Sequence, residues 1–280
     1  MVDAAVSLSG ADFEYIRALV QRLAAIELED DKHYLVQARL APVAADAGCH
    51  NLAELAQRVR SEETGPLTSR IIDALTTNET LFFRDGHPFE ALHKTILPQL
   101  IERRQNVRRL AVWSAAASTG QEAYSFSMLL KEYFPELASW SVELLGTDIS
   151  TNALAQARAA NYSRIAINRG LPARLMVRYF RHENDSWTLR DDIRRTVEFR
   201  HMNLDGQWPY LPVFDVVFIR NVLIYMSLET RRKILRRIRQ HLAPDGYLLL
   251  GATENMLQTP EGFESVDVNG SLFYRARPAL

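Results

Sequence analysis

Polar residues stand at the ends of three predicted strands. Residues 114–122 (SAAASTGQE) stand at the end of the apolar run RLAVWSA. Residues 146–148 (GTD) stand near the end of the run SVELLGTDI, and Arg220 and Asn221 follow the run FDVVFI. In an open α/β sheet, ligands bind at the carboxyl ends of the strands, near the point where the strand order reverses. The sequence therefore predicts a ligand site built from these three strand ends.

The first two strand ends suit a nucleoside. The small residues at 114–120 let a ligand approach the backbone, and the helix that follows Gly120 presents free N–H groups there. The carboxylate of Asp148 can accept two hydrogen bonds from a ribose diol. The alternative is that Asp148 caps the next helix. The small-residue turn beside it favours the ribose contact.

The third strand end carries Arg220 and Tyr225. An arginine that directly follows apolar strand residues is hard to bury without a partner, so Arg220 either forms a structural ion pair or faces the site. Tyr225 follows closely enough to face the same cleft, although packing in the core with a free hydroxyl is the alternative. The strand-end position favours a site role for Arg220.

The elements that position these residues alternate from about residue 108. Helices are predicted over 121–134, over 151–160 and over SLETRRKILRRIRQHLAP, which Pro244 should stop, and further strands over VEFRHMNL and GYLLLGAT. Strands that alternate with helices indicate a doubly wound parallel sheet. Asn269-Gly270 separates two last strand-like runs, which predicts an antiparallel hairpin at the sheet edge.

The first 85 residues show helical spacing and no strand-like alternation. Ser9 can cap a first helix, and a second helix should stop near Pro42. We therefore divide the chain into a helical domain with a linker (1–85) and an α/β domain (86–280). Residues 161–196 are too many for a βα loop, so they are predicted to form an inserted subdomain.

Composition excludes several classes of protein. The chain is 47% hydrophobic and 24% charged, which is ordinary for a globular protein. It has no apolar run near the roughly 18–20 residues of a membrane span. Its N-terminus lacks the basic and apolar regions of a secretory signal. Cys49 is the only cysteine, which excludes disulfides and cysteine-based zinc, while His and carboxylate metal ligands stay open. We expect a cytoplasmic protein.

The charge distribution is uneven along the chain. Residues 1–85 hold 8 Lys and Arg against 14 Asp and Glu, whereas the rest holds 25 against 20. This asymmetry is typical of two units with different surfaces. It does not indicate a nucleic-acid-binding protein, which usually carries a strongly basic domain.

Five segments taken together carry a family resemblance. TTNETLFFRD, VWSAAASTGQEAYS, GTDIS, FDVVFIRNVLIYM and DGYLLLGATE resemble, in order and spacing, the CheR-type chemoreceptor glutamate methyltransferases. The resemblance implies a Rossmann-like S-adenosylmethionine-dependent methyltransferase domain with an inserted β-subdomain, preceded by a helical domain. It also implies methyl transfer to glutamate side chains on the cytoplasmic helical region of chemotaxis receptors, by a monomer that inserts into no membrane.

The resemblance also implies a set of site residues without a metal ligand. Those expected to contact the cofactor are Asn78, Thr80, Arg84, Glu122, Asp148, Asn203, Leu204, Arg220 and Asn221. Asn203 and Leu204 should line the adenine pocket, and Arg220 and Asn221 should border the methyl group. Arg220 and Tyr225 are the expected catalytic residues beside the reacting carboxylate.

Two features depart from the family pattern. Relatives that bind a receptor's C-terminal pentapeptide carry a glycine-rich loop in the β-subdomain, whereas residues 181–187 (RHENDSW) contain no glycine. We therefore expect recognition without a pentapeptide. The family pattern also implies a basic receptor-binding face on the helical domain, which here carries a net charge of −6 unless its arginines cluster locally.

Two other functions are open alternatives. The arginine-rich segment 231–239 could bind RNA, although it also fits the solvated face of a helix that packs on the sheet. An RNA base methyltransferase would need aromatic stacking groups beside the site, and none is evident. The fold could instead serve a cofactor-sensing module without catalysis, because a fold does not fix a function.

Overall fold

The computed structural model describes residues 8–254 and 262–277. Residues 1–7, where we expect no secretory signal, lie outside these ranges. The helices are α1 (Gly10–Ala24), α2 (His33–Asp46), α3 (Leu52–Ser61), α4 (Pro66–Leu75), α5 (His87–Ala91), α6 (Leu97–Arg104), α7 (Gln121–Tyr133), α8 (Thr151–Ala159), α9 (Arg164–Asn168), α10 (Ala173–Tyr179), α11 (Asp191–Arg194) and α12 (Leu228–His241). A π-helical turn, Leu92–Ile96, joins α5 to α6.

The strands form two separate sheets. They are β1 (Arg109–Ala115), β2 (Ser141–Asp148), β3 (Asn161–Ser163), β4 (Phe180–Glu183), β5 (Ser186–Leu189), β6 (Val197–His201), β7 (Phe214–Ile219), β8 (Leu242–Leu250), β9 (Phe263–Val268) and β10 (Ser271–Ala276). The large sheet has the order β6-β2-β1-β7-β8-β10-β9, and the small sheet has the order β3-β5-β4.

The large sheet is the predicted doubly wound sheet. β6, β2, β1, β7 and β8 are parallel, and β10 pairs antiparallel with both β8 and β9. Along β1, Leu110 and Val112 enter the core beneath α7, while Ala111 and Trp113 enter the core beneath α12. A parallel strand covered on both faces is apolar where it is buried, which explains the uninterrupted run LAVW after Arg109.

The predicted terminal hairpin is present in the structure. β9 and β10 are joined by Asn269 and Gly270, whose φ angles are +53° and +77°. Both values are positive, as a two-residue turn of type I′ requires, and Asn-Gly is the dipeptide that adopts them most readily.

The helical segment α1–α4 packs around its own apolar core. Ser9 caps α1 as expected, since its hydroxyl oxygen accepts a hydrogen bond from the Asp12 N–H at 3.1 Å. The expected end of the second helix near Pro42 is wrong, because α2 continues to Asp46. Val43 and Ala44 are buried in this core, and their burial compensates for the hydrogen bond that proline removes.

The prediction at the second proline is confirmed for the helix and wrong for the strand that follows. α12 ends at His241, three residues before Pro244, but β8 begins at Leu242 and contains Pro244. The pairing of β7 with β8 shifts register between Phe214 and Val216. Proline is tolerated in a strand at such an irregularity because no ladder hydrogen bond is required of it there.

Residues 161–196 contain the small antiparallel sheet together with α9, α10 and α11. Phe82 of the linker packs edge-on against Tyr162 and Phe180 of this sheet, at centroid distances of 5.1 and 5.6 Å. Phe82 of the linker thus has a packing role. The domain boundaries at 85 and at 161–196 stay predictions.

Candidate functional site

An open cavity lies at the carboxyl ends of β1, β2 and β7, where the strand order reverses. Every site residue expected from the sequence lines it: Asn78, Thr80, Arg84, Glu122, Asp148, Asn203, Leu204, Arg220, Asn221 and Tyr225. The sheet topology therefore brings together residues that are far apart in the chain. Their individual contacts with a cofactor stay predictions.

Asp148 is buried at the end of β2 and is already hydrogen bonded on both oxygens. Oδ2 accepts the Ser118 N–H and Oδ1 accepts the Ser150 N–H, each at 2.8 Å. Burial raises the pKa of the Asp148 carboxyl, and these amide hydrogen bonds counteract the rise. Ser150, not Asp148, is the N-cap of α8, because its hydroxyl accepts the Ala153 N–H. Beside its backbone contacts, the carboxylate keeps lone-pair capacity for a ribose hydroxyl.

Arg220 joins the linker to two elements of the α/β domain. Its side chain is only 2% exposed, and Nη1 donates to Glu122 Oε2 at 3.2 Å. Nη2 contacts the Asp85 carboxylate and donates to the Arg84 carbonyl oxygen at 3.3 Å. Glu122 also accepts a hydrogen bond from the Ser114 hydroxyl at 2.7 Å. Arg220 therefore forms buried ion pairs and also lies at the cavity, so the two roles considered for it do not exclude each other.

The linker crosses the cavity and is fixed by polar contacts. The Asn78 carbonyl oxygen accepts the Ser118 hydroxyl at 2.8 Å. The Phe83 N–H donates to the Ser125 hydroxyl oxygen on α7 at 2.9 Å. Arg84 Nη1 donates to the Glu79 carbonyl oxygen at 3.4 Å. These contacts hold the predicted linker residues against the first strand end.

The helical segment also supplies part of the cavity, which the sequence did not predict. Ala24 and Ile26, at the end of α1, line the cavity wall. The Leu23 carbonyl oxygen accepts Asn203 Nδ2 at 2.7 Å. No sequence signal marks these residues, because they are ordinary members of an apolar helix end.

Two buried polar atoms at the cavity are unsatisfied. Asn221 Oδ1 and Arg220 Nε have no hydrogen-bond partner among the described residues. Both atoms belong to residues that line the cavity, whereas buried polar groups in native proteins are nearly always paired. Across the same residues, no group of three or more His, Cys, Asp or Glu could hold a metal ion.

The fold and the cavity define an α/β protein with a ligand site at the switch point of its sheet. Two family models cover nearly the whole chain: the CheR methyltransferase SAM-binding domain over residues 78–271 and the CheR methyltransferase all-alpha domain over residues 11–76. The chain belongs to the CheR methyltransferase family. It is an S-adenosylmethionine-dependent methyltransferase, as the sequence resemblance implied.

Similar proteins support this assignment. A chemotaxis protein methyltransferase of Pseudomonas aeruginosa is 41% identical over 97% of this chain and 100% of its own length. One of Pseudomonas putida is 38% identical over the same shares. A solved glycopeptide N-methyltransferase is 19% identical, with a TM-score of 0.34 over 61% of this chain and 54% of that one.

We expect Asp148→Ala to weaken binding of S-adenosylhomocysteine, the demethylated product, by about 1.5–3 kcal/mol. The variant loses the proposed diol contacts and also frees the backbone at Ser118, which shapes the cavity. Isothermal titration calorimetry measures the effect. Asp185→Ala, in an exposed turn of the small sheet, is the matched control. An unchanged affinity in Asp148→Ala would remove this residue from the site.

Proposed function

We propose that the chain transfers the methyl group of S-adenosylmethionine to glutamate side chains of chemotaxis receptors, forming glutamate methyl esters. The observation that carries this proposal is the placement of Tyr225 and Arg220 on one strand-end turn at the cavity. The curated relatives named above are described as chemotaxis protein methyltransferases, which supports receptors as the substrate class. The reaction would take place in the cytoplasm on the helical region of the receptor, with the enzyme as a monomer.

The chemistry requires positioning more than proton transfer. A glutamate side chain has a reference pKa near 4.3, so at pH 7 it is already the nucleophilic carboxylate and needs no general base. The bound cofactor supplies a methyl group activated by a positively charged sulfur. The protein must therefore hold the attacking oxygen in line with the methyl group and the sulfur.

Some residues at the cavity are assigned to cofactor binding and others to orienting the substrate carboxylate. We assign the ribose to Asp148, the adenine to Asn203 and Leu204, and the remaining contacts to the linker and to Glu122. Tyr225 is suited to orient the carboxylate through its hydroxyl. The guanidinium of Arg220 already pairs with Glu122 and Asp85, which limits how tightly it can bind a substrate carboxylate. A weaker ion pair suits catalysis, because tight ground-state binding would lower the reactivity of the nucleophile.

A radiolabelled methyl-transfer assay tests the proposal. Purified protein is incubated with methyl-labelled cofactor and membranes that contain receptors, or with RNA. We expect label in the receptor band that base treatment releases as volatile methanol, because a glutamate methyl ester hydrolyses in base. Receptors whose methylation-site glutamates are replaced by alanine are the control. Label in RNA would favour the RNA alternative, and cofactor binding without any transfer would favour a sensing module.

The basic face expected on the helical domain is not favoured by the contacts of its arginines. Arg17 contacts Asp30, Arg60 contacts Asp12, and Arg70 contacts Asp46. Arg58 contacts Glu54, and Arg39 donates to carbonyl oxygens at the end of α4. Each arginine has its own local acceptor, so we propose that the receptor docks chiefly through the region of the cavity mouth.

We further propose that receptor recognition is independent of a C-terminal pentapeptide. β4 and β5 are joined by Asn184 and Asp185 alone, with Asn184 at φ +56°, so no loop extends from this hairpin. Across the pair, His182 packs against Trp187 at a centroid distance of 4.6 Å. A bulky tight hairpin replaces the glycine-rich loop through which pentapeptide-binding relatives accommodate the peptide backbone.

We expect no saturable binding of a receptor C-terminal pentapeptide at low micromolar concentration. β4 lies at an edge of the small sheet, so peptide addition by β-strand pairing is the mode to be tested. Titration by calorimetry, with and without S-adenosylhomocysteine, measures it, and a known pentapeptide-dependent relative serves as the positive control. Saturable low-micromolar binding would mean that the edge of β4 docks peptide without a glycine loop.

A further inference from the structure

The turn that carries Tyr225 has an unusual backbone. It connects β7 to α12, begins with Asn221 at φ +57°, and contains a short 3-10 helix over Leu223–Tyr225. Asparagine tolerates the left-handed region better than most residues, but the conformation still needs support from its surroundings. That support comes from two charged side chains outside the turn.

Glu254 fixes the N–H groups at the start of the turn. It is buried, and its Oε2 accepts the N–H groups of Asn221 at 2.8 Å and Gly251 at 2.6 Å. Its Oε1 accepts the N–H groups of Val222 at 3.0 Å and Leu223 at 2.8 Å. An ionised carboxylate has about four lone-pair positions, so these four hydrogen bonds use its whole capacity. Glu254 therefore has no capacity left for a ligand.

Gly251 leaves the space that this carboxylate occupies. A Cβ built on Gly251 would lie 2.6 Å from Glu254 Oε2 and 2.9 Å from the backbone nitrogen of Asn221. The second neighbour is backbone and cannot move without displacing the turn. Glycine at this position is thus a condition for the close approach of the carboxylate to the turn.

Arg231 and Glu27 fix the carbonyl groups at the end of the turn. Arg231, on α12, donates from Nε to the Met226 carbonyl oxygen at 2.7 Å and from Nη2 to that of Ile224 at 3.4 Å. The Glu27 N–H, just after α1, donates to the Tyr225 carbonyl oxygen at 2.8 Å. The backbone on both sides of Tyr225 is therefore held in place.

We propose that Glu254 and Arg231 are positioning residues that fix the turn 221–226 so that Tyr225 meets the reacting carboxylate in one orientation. This inference rests on the proposed function, since it concerns the same reaction. Neither side chain is among the cavity-lining residues, so both act through the backbone of the turn. An in-line displacement is sensitive to such placement, because a shift of about 1 Å in a positioning group can cost about 100-fold in rate.

The test compares Glu254→Gln and Arg231→Gln with Arg236→Gln, an exposed arginine on the same helix. The glutamine oxygen can accept about two of the four N–H groups. The glutamine NH2 group would face the other two, from which it cannot accept a hydrogen bond. We expect kcat for receptor methylation to fall about tenfold or more in Glu254→Gln and about fivefold in Arg231→Gln. The KM for receptor and the affinity for S-adenosylhomocysteine should change less than about threefold, since the lost interaction orients rather than binds.

A double-mutant cycle with Tyr225→Phe separates positioning from general destabilisation. If Glu254 acts through the tyrosine hydroxyl, Glu254→Gln should lower kcat by less than about twofold in the Tyr225→Phe background, where that hydroxyl is absent. An equal cost in both backgrounds, or a kcat near wild type in the single variant, would overturn the inference. Should Glu254→Gln fail to fold by circular dichroism, the same cycle with Arg231→Gln decides.

Amide hydrogen exchange at residues 221–226 reads the turn without any activity measurement. We expect faster exchange in Glu254→Gln and unchanged exchange in Arg236→Gln, because only the first variant weakens the contacts of the three N–H groups in this segment that Glu254 accepts. A wild type that methylates no receptor would overturn the proposed function, and exchange alone would then decide whether Glu254 holds the turn. An active wild type with unchanged exchange in Glu254→Gln would overturn this inference alone.

Discussion

Arg220→Met should leave a protein that is less stable by about 3 kcal/mol and nearly inactive in methyl transfer. Methionine keeps much of the side-chain volume and removes the charge, so Glu122, with a side chain only 10% exposed, loses its cationic partner. Breaking a buried pair on one side costs about 3–5 kcal/mol. We take the lower end, because the Asp85 side chain is 44% exposed and remains solvated.

The loss of activity should have its own cause, separate from the loss of stability. Arg220 is the contact between β7 and the linker, through Asp85 and the Arg84 carbonyl oxygen, and the linker forms one wall of the cavity. Without it, Glu122 and the linker lose their relative placement, and we expect kcat/KM to fall about 100-fold or more.

Urea unfolding and the receptor methylation assay measure the two effects. Arg103→Met is the matched control, because it removes an arginine from a surface pair with Asp245 whose partners are 43% and 26% exposed. That change should cost less than about 1 kcal/mol. If Arg220→Met is as stable and turns over as fast as Arg103→Met, then Arg220 supports neither the fold nor the site.

The partners of Arg220 show where prediction from the sequence stops. Its position at a strand end, and the need to pair it, follow from the apolar run before it, and the structure agrees with both. The identity of the partners does not follow. Asp85 belongs to a linker more than a hundred residues earlier, and only the docking of that linker on the sheet brings the two together.

The strand ends were predictable because one rule covers them. Strands such as β1 that are apolar on both faces imply a parallel sheet, and in such a sheet the carboxyl ends converge. Asp148, Glu122 and Asn221 therefore line one cavity as expected. Ala24, Ile26 and Glu27 escaped prediction because their contacts depend on how the helical segment packs against the sheet.

The prolines misled the prediction for a related reason. Local propensity predicted a helix end at Pro42 and a strand only after Pro244, but propensity is a weak preference that packing can outweigh. Val43 and Ala44 continue the apolar face of α2 into its core, and β8 accommodates Pro244 at a register shift. Glu254 was equally hidden, since nothing in its residue type indicates that four backbone N–H groups will converge on it.

Tyr225→Phe should lower kcat for receptor methylation by about 100-fold and leave the affinity for S-adenosylhomocysteine within about twofold. The substitution removes one oxygen from a side chain whose turn is fixed by Glu254, Arg231 and the Glu27 N–H. Phenylalanine preserves the ring and its packing at the cavity, so the cofactor contacts and the fold should persist. What is lost is the one hydroxyl that we place beside the attacking carboxylate.

Steady-state methylation with saturating cofactor, together with calorimetry, separates these two quantities. Tyr210→Phe is the matched control, because Tyr210 is 90% exposed and the chemical change is identical. An effect on kcat with cofactor affinity preserved is the signature of an interaction made in the transition state rather than in binding. If Tyr225→Phe turns over as fast as Tyr210→Phe, the hydroxyl does not orient the substrate, and the carboxylate must be placed by the walls of the cavity alone.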